Sequence, residues 1–87
     1  MNILSKSITT TGALSISFLS ESGVHQETFP AKEVQFYMYA ADMIDDAHEH
    51  QVMVKGEGWV DYPDFLRSQL ADNAFCEHIL STNALIK

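Results

Sequence analysis

The chain has 87 residues, enough for one hydrophobic core and too few for two domains. Twelve acids against five bases leave a formal net charge of −7, which repels nucleic-acid phosphates and anionic membranes and attracts basic partners at longer range. A hydrophobic share of 46% excludes a disordered chain, and a lone cysteine, Cys76, excludes an intramolecular disulfide and points to a reducing cytoplasm.

At the N-terminus the apolar residues imitate a secretory signal, but Ser7, the threonines at 9–11, Ser15 and Ser17 interrupt them. A signal core is continuous, so the pattern reads as strand. No stretch approaches the roughly 20 apolar residues that a membrane helix needs. From 13 to 19, Leu14, Ile16 and Phe18 alternate with Ser15 and Ser17, the period-two signature of a half-buried strand. Glu21-Ser22-Gly23 supplies a turn, and Val24 to Phe29 returns as a second strand. Ile3 to Thr9 adds a third, joined through Gly12. An antiparallel β-meander of two or three strands is therefore expected.

Pro30 ends the ladder and suits the first turn of a helix, with Thr28 as the nearest cap. From 31 to 50 the apolar residues, among them Val34, Phe36, Tyr37, Met38, Ala40, Ala41, Met43, Ile44 and Ala47, cover most of a helical circumference. Only Gln35, Tyr39, Asp42, Asp46 and Glu49 form a mostly polar stripe. The expectation is a long central helix buried on two sides. Residues 52–60 read as a short strand or hairpin turning at Lys55-Gly56-Glu57-Gly58. Asp61 is placed to cap a following helix, with Pro63 and Asp64 in its first turn. Asp72-Asn73 then offers a break or a second cap, giving one bent or two short helices that end near Ser81. The fold class is thus α+β in a single domain, 1–87.

The densest polar cluster is Asp42, Asp45, Asp46, His48, Glu49 and His50, with no basic residue between Lys32 and Lys55. On one helix Asp42, Asp46 and either Glu49 or His50 share a face, because residues three or four apart are neighbours. Carboxylates and an imidazole at that spacing suit a divalent ion such as Zn²⁺ or Mn²⁺, although no established metal motif is matched. A solvated acidic face is the simpler account. His48 and His50 lie about 200° apart on a helix and do not share an ion. Cys76 and His78 likewise point apart on a helix, so Cys76 reads as a small core residue. Gly56-Glu57-Gly58 lacks the spacing of a phosphate loop.

Three functions fit these observations. The favoured one is a small acidic protein-binding or regulatory module of the inhibitor, immunity or adaptor type, without cofactor or catalysis. Asp42, Asp45, Asp46 and Glu49 would steer it toward a basic or apolar partner surface, and Tyr39, Trp59 and Tyr62 would anchor it. Such a module would present a convex acidic face. The second is a homodimeric scaffold in which the 31–50 helix packs on its symmetry mate through Ala40, Ala41 and Ala47. The third is a divalent-metal protein or small metalloenzyme using Asp42, Asp46, His50 and His78. Direct nucleic-acid and membrane binding are not expected.

Overall fold

The computed structural model describes residues 2–86, with side chains from 2 to 83. Three antiparallel strands open the chain: β1 (Asn2–Ile8), β2 (Leu14–Ser20) and β3 (Gly23–Phe29), in that spatial order. The alternation read from β2 sets the faces. Leu14 and Ile16 are fully buried and Phe18 nearly so, while Ser15, Ser17 and Leu19 point away. Register fixes the neighbours: Ile8 and Phe29 flank Leu14, and Lys6 and Glu27 flank Ile16. A bulge between Ile3 and Ser5 makes Leu4 the extra residue of the edge strand.

Helix α1 spans Ala31–Ala40, ten residues against the twenty expected. The stop is a Schellman turn: the Met43 N–H donates to the Met38 carbonyl (2.9 Å) and the Asp42 N–H to the Tyr39 carbonyl (3.0 Å). Asp42 sits at φ 62°, the left-handed position where glycine is commonest. Its side chain also takes a hydrogen bond from Lys55, at 2.7 Å. Pro30 is the residue before the helix, and no side chain caps that end. Thr28, the expected cap, donates instead to the Ser15 hydroxyl at 3.4 Å.

The acidic segment is therefore extended. Strand β4 (Asp46–His48) begins a second antiparallel meander that continues through β5 (Gln51–Val54) and β6 (Gly58–Asp61). The hairpin anticipated at 52–60 is β5–β6, and its Lys55-Gly56 turn is closed by the Glu57 N–H on the Val54 carbonyl, at 3.0 Å. Two helices follow, α2 (Tyr62–Gln69) and α3 (Ala74–Ile86). Asp61 caps α2 as its sequence position implies, accepting from the Asp64 N–H at 3.0 Å, with Pro63 in the first turn. Asp72 accepts from the Ala74 N–H at 2.9 Å where α3 starts. Lys6, from β1, fastens that junction through the Asp72 carbonyl and the Asn73 side chain, both at 2.7 Å. α3 runs beyond Ser81 to Ile86.

Both sheets and all three helices feed one buried cluster, from Leu14, Ile16 and Phe29 through Val34, Tyr37, Met38, Ile44 and Val52 to Tyr62, Leu66, Cys76 and Ile79. Phe29 and Tyr37 meet edge to face, 6.2 Å between centroids. The Tyr37 hydroxyl donates to Asn83 Oδ1 (3.4 Å), whose amide donates to Glu27 (3.1 Å). These contacts tie α1, α3 and β3 together.

Candidate functional site

Because α1 is short, its helical faces are simple. Val34, Tyr37 and Met38 are buried, and Lys32, Phe36 and Tyr39 line the opposite side at i, i+4 and i+7. Phe36 is 58% exposed and Tyr39 60% exposed, unusual values for two large rings one turn apart. They form one wall of an open groove of about 510 Å³, floored by Ile44, whose other wall is β4 and its turn: Asp46, Ala47, His48 and Glu49.

Gln35 holds the groove's shape. It is nearly buried, and its amide donates to the Glu49 carbonyl at 3.0 Å, fixing the β4–β5 turn to the helix. Glu49 occupies that turn at φ 53°, a second left-handed position taken by a residue other than glycine. The Asp46 carboxylate accepts from the neighbouring Ala47 N–H at 2.8 Å. The edge of β4 is thereby partly satisfied by its own side chain, a local block to a further strand.

The four acids divide into two pairs. Asp42 and Asp45 surround Lys55, at 2.7 and 3.9 Å. The hydrogen bond that Lys55 donates to Asp42 outweighs the loss of solvation and holds the Lys55 ammonium above its ordinary range. Among the described residues no cation lies within ion-pairing distance of Asp46 or Glu49. Asp46 and Glu49, on the groove's β wall, thus keep their charge without an ion pair among the described residues.

The aromatic residues chosen from sequence do not form one patch. Tyr39 borders the groove. Trp59, 43% exposed, lies two strands away from β4 in the row Asp46–Met53–Trp59 and does not line the groove. Tyr62 is only 1% exposed, a correction to its expected role as a contact residue. Its ring fills the core and its hydroxyl donates to the Gly12 carbonyl at 2.5 Å, while burial drives its pKa far above the ordinary tyrosine value. A helix drawn from 31 to 50, apolar round most of its circumference, hides Phe36 among the buried positions. Its spacing from Lys32 and Tyr39 was the available signal.

The metal set loses its geometric basis. Asp42, Asp46 and His50 were grouped by helical spacing, yet they fall on a helix stop, a strand and a turn. Among the described residues no three His, Cys, Asp or Glu side chains converge as an ion requires. His78 is exposed and Cys76 fully buried, so they do not form a nucleophilic pair. Burial raises the Cys76 thiol pKa, against a smaller lowering by Lys6. The dimer helix is corrected likewise: Ala40 ends α1, Ala41 follows it, and Ala47 belongs to β4, so the three make no helical stripe. Among the described residues no helix is long and apolar enough to cross a membrane.

Compared with models of protein families, with curated proteins and with solved structures, the chain matches none.

Proposed function

We propose that the protein is a small acidic binding module, without catalysis of its own, that receives a protruding basic and apolar segment of a partner protein in the groove between α1 and β4. The observation that carries this reading is the exposed pair Phe36 and Tyr39 lining one groove with Asp46 and Glu49, two acids that make no ion pair among the described residues. A groove rather than a convex face favours a receptor for a protruding segment over a plug for a partner's cleft. Covering either ring would contribute about 1.5–3 kcal/mol, and the carboxylates would add attraction during approach. Asp42 and Asp45 contribute to the wider field with their charge partly offset by Lys55. The single buried thiol accords with a reducing compartment, so the cytoplasm is the proposed location.

Capture of partners from the native host at low and at high salt tests this, using three forms of the chain. The unchanged protein should retain a salt-sensitive partner. Phe36→Ser with Tyr39→Ser should lose it at every salt concentration. Asp46→Asn with Glu49→Gln should reproduce, at low salt, the loss that salt causes in the unchanged chain. Recovery of the same partner by both double variants sinks the proposal.

A further inference from the structure

A second surface carries a different signal. The three strands of the N-terminal sheet contain only three ionisable side chains, Lys6, His25 and Glu27, and register places all of them on the core side, beside Ile16 and Phe18. The outward face bears hydroxyl, amide and aliphatic side chains and no charge, on a molecule whose net charge is −7. Its polar groups are partly satisfied within the face: Gln26 and Thr28 on β3 both donate to the Ser15 hydroxyl on β2, at 3.1 and 3.4 Å. Covering them therefore leaves fewer orphaned donors than a hydroxylated surface ordinarily would. One end is apolar. Leu19 and Val24 are register partners level with Asn2, Leu4 lies at the bulge further along β1 toward Ser17, and exposures run from 42% for Leu19 to 68% for Val24.

We propose that this face is an isologous interface between two copies of the chain. A two-fold axis parallel to β2 lays β1 of one copy over β3 of the other without reversing strand direction. Asn2 then lies level with Val24 of the second copy and Val24 with Asn2 of the second copy, Leu4 stands one step along the strand from each of these contacts, and Leu19 meets its own symmetry mate. The patch is self-complementary under this operation, as a two-fold contact requires. Charge points to the same occupant. Two chains of −7 repel through any acidic surface, and this face lets them touch with their carboxylates turned away. Seven residues by three strands span roughly 23 by 14 Å, so the pair covers roughly 700–1,000 Å² in total once side-chain relief is included. That is below the ~1,200–2,000 Å² of stable interfaces, and the dimer exchanges with monomer.

Sedimentation equilibrium of the full chain, from about 10 µM to about 1 mM, tests this. The mean mass should climb from 9.8 kDa toward twice that value. Added salt should strengthen the association by screening like charges, opposite to its effect on a basic partner at the groove. Leu19→Glu and Val24→Glu should each raise the dissociation constant at least ~10-fold with unchanged circular dichroism, and Phe36→Ser should leave it alone. Sheets stacked in this way lie about 10 Å apart, so Leu19→Cys should be trapped as a dimer by a bismaleimide of that span, and Glu57→Cys, on the β5–β6 turn, should not. A monomer across the whole range, association indifferent to both glutamate substitutions, or equal cross-linking at the two cysteines would overturn the proposal.

Discussion

Tyr62 and Gly12 show how a single residue can be misread when its partner is distant in sequence. A tyrosine beside Trp59 and next to a helix cap has the composition of a contact patch. Here it is the largest fully buried side chain, and its hydroxyl reaches a carbonyl fifty positions earlier. Gly12 accommodates it twice over. Its φ of 85° suits glycine, and a Cβ there would lie 2.8 Å from Tyr62 Cε2. Tyr62→Phe keeps the ring and removes the donor, leaving the Gly12 carbonyl unpaired in the core, at a cost of about 1–3 kcal/mol. Gly12→Ala should cost more, because it adds a backbone penalty to the steric one. Urea unfolding followed by circular dichroism should give the order unchanged chain, Tyr62→Phe, Gly12→Ala. A Tyr62→Phe midpoint equal to that of the unchanged chain would show that the buried bond contributes nothing.

At the scale of elements, legibility followed local chemistry. The β1–β3 meander, the β5–β6 hairpin and the α2 cap were readable because alternation, glycine turns and the Asp61–Pro63–Asp64 pattern each have a direct backbone cause. The end of α1 was not. Both backbone positions that redirect the acidic segment, Asp42 and Glu49, take positive φ without being glycine. Apolar periodicity runs straight across the first of them, since Met43, Ile44 and Ala47 continue a helical pattern while the chain has already turned. The groove is hidden for the same reason, as a single helix over 31–50 joins its two walls into one element. If the stop rests on left-handed geometry, Asp42→Ala should destabilise by about 1 kcal/mol, because alanine keeps the Cβ that this region penalises and loses the short polar side chain that lets aspartate tolerate it. Asp42→Gly should be at least as stable as the parent despite losing the contact with Lys55. Denaturant midpoints in the order Gly, Asp, Ala support the backbone account, whereas equal losses in both variants would assign the stop to the ion pair.

For the molecule as a whole, one shared core makes stability depend on pH in the alkaline range. Cys76, Tyr37 and Tyr62 come from three different helices and bury their ionisable groups in the same cluster. Desolvation is the leading cause of a raised pKa in each, with nearby Glu33 and Glu27 adding to it at Tyr37. Unfolding returns the thiol to its ordinary 9.0 and the phenols to 10.0, so above those values the unfolded chain releases protons that the native chain retains. Stability from these groups is therefore undiminished below the ordinary thiol value and falls as pH rises through the ordinary toward the folded values. Lys55, whose ammonium is favoured in the folded state, acts in the same direction from its ordinary 10.5 upward. The urea midpoint should stay level with respect to these groups through neutral pH, begin to drop near 9.0 and drop more steeply past 10.0. Cys76→Ala should remove the first step while lowering the midpoint overall through the small cavity it leaves. Tyr62→Phe should flatten the second, because the phenol most strongly held in its protonated form is then gone. A midpoint that remains level beyond the ordinary tyrosine value would mean that these three groups titrate alike in the folded and unfolded chain, and that the core admits water where the packing of α1, α2 and α3 excludes it.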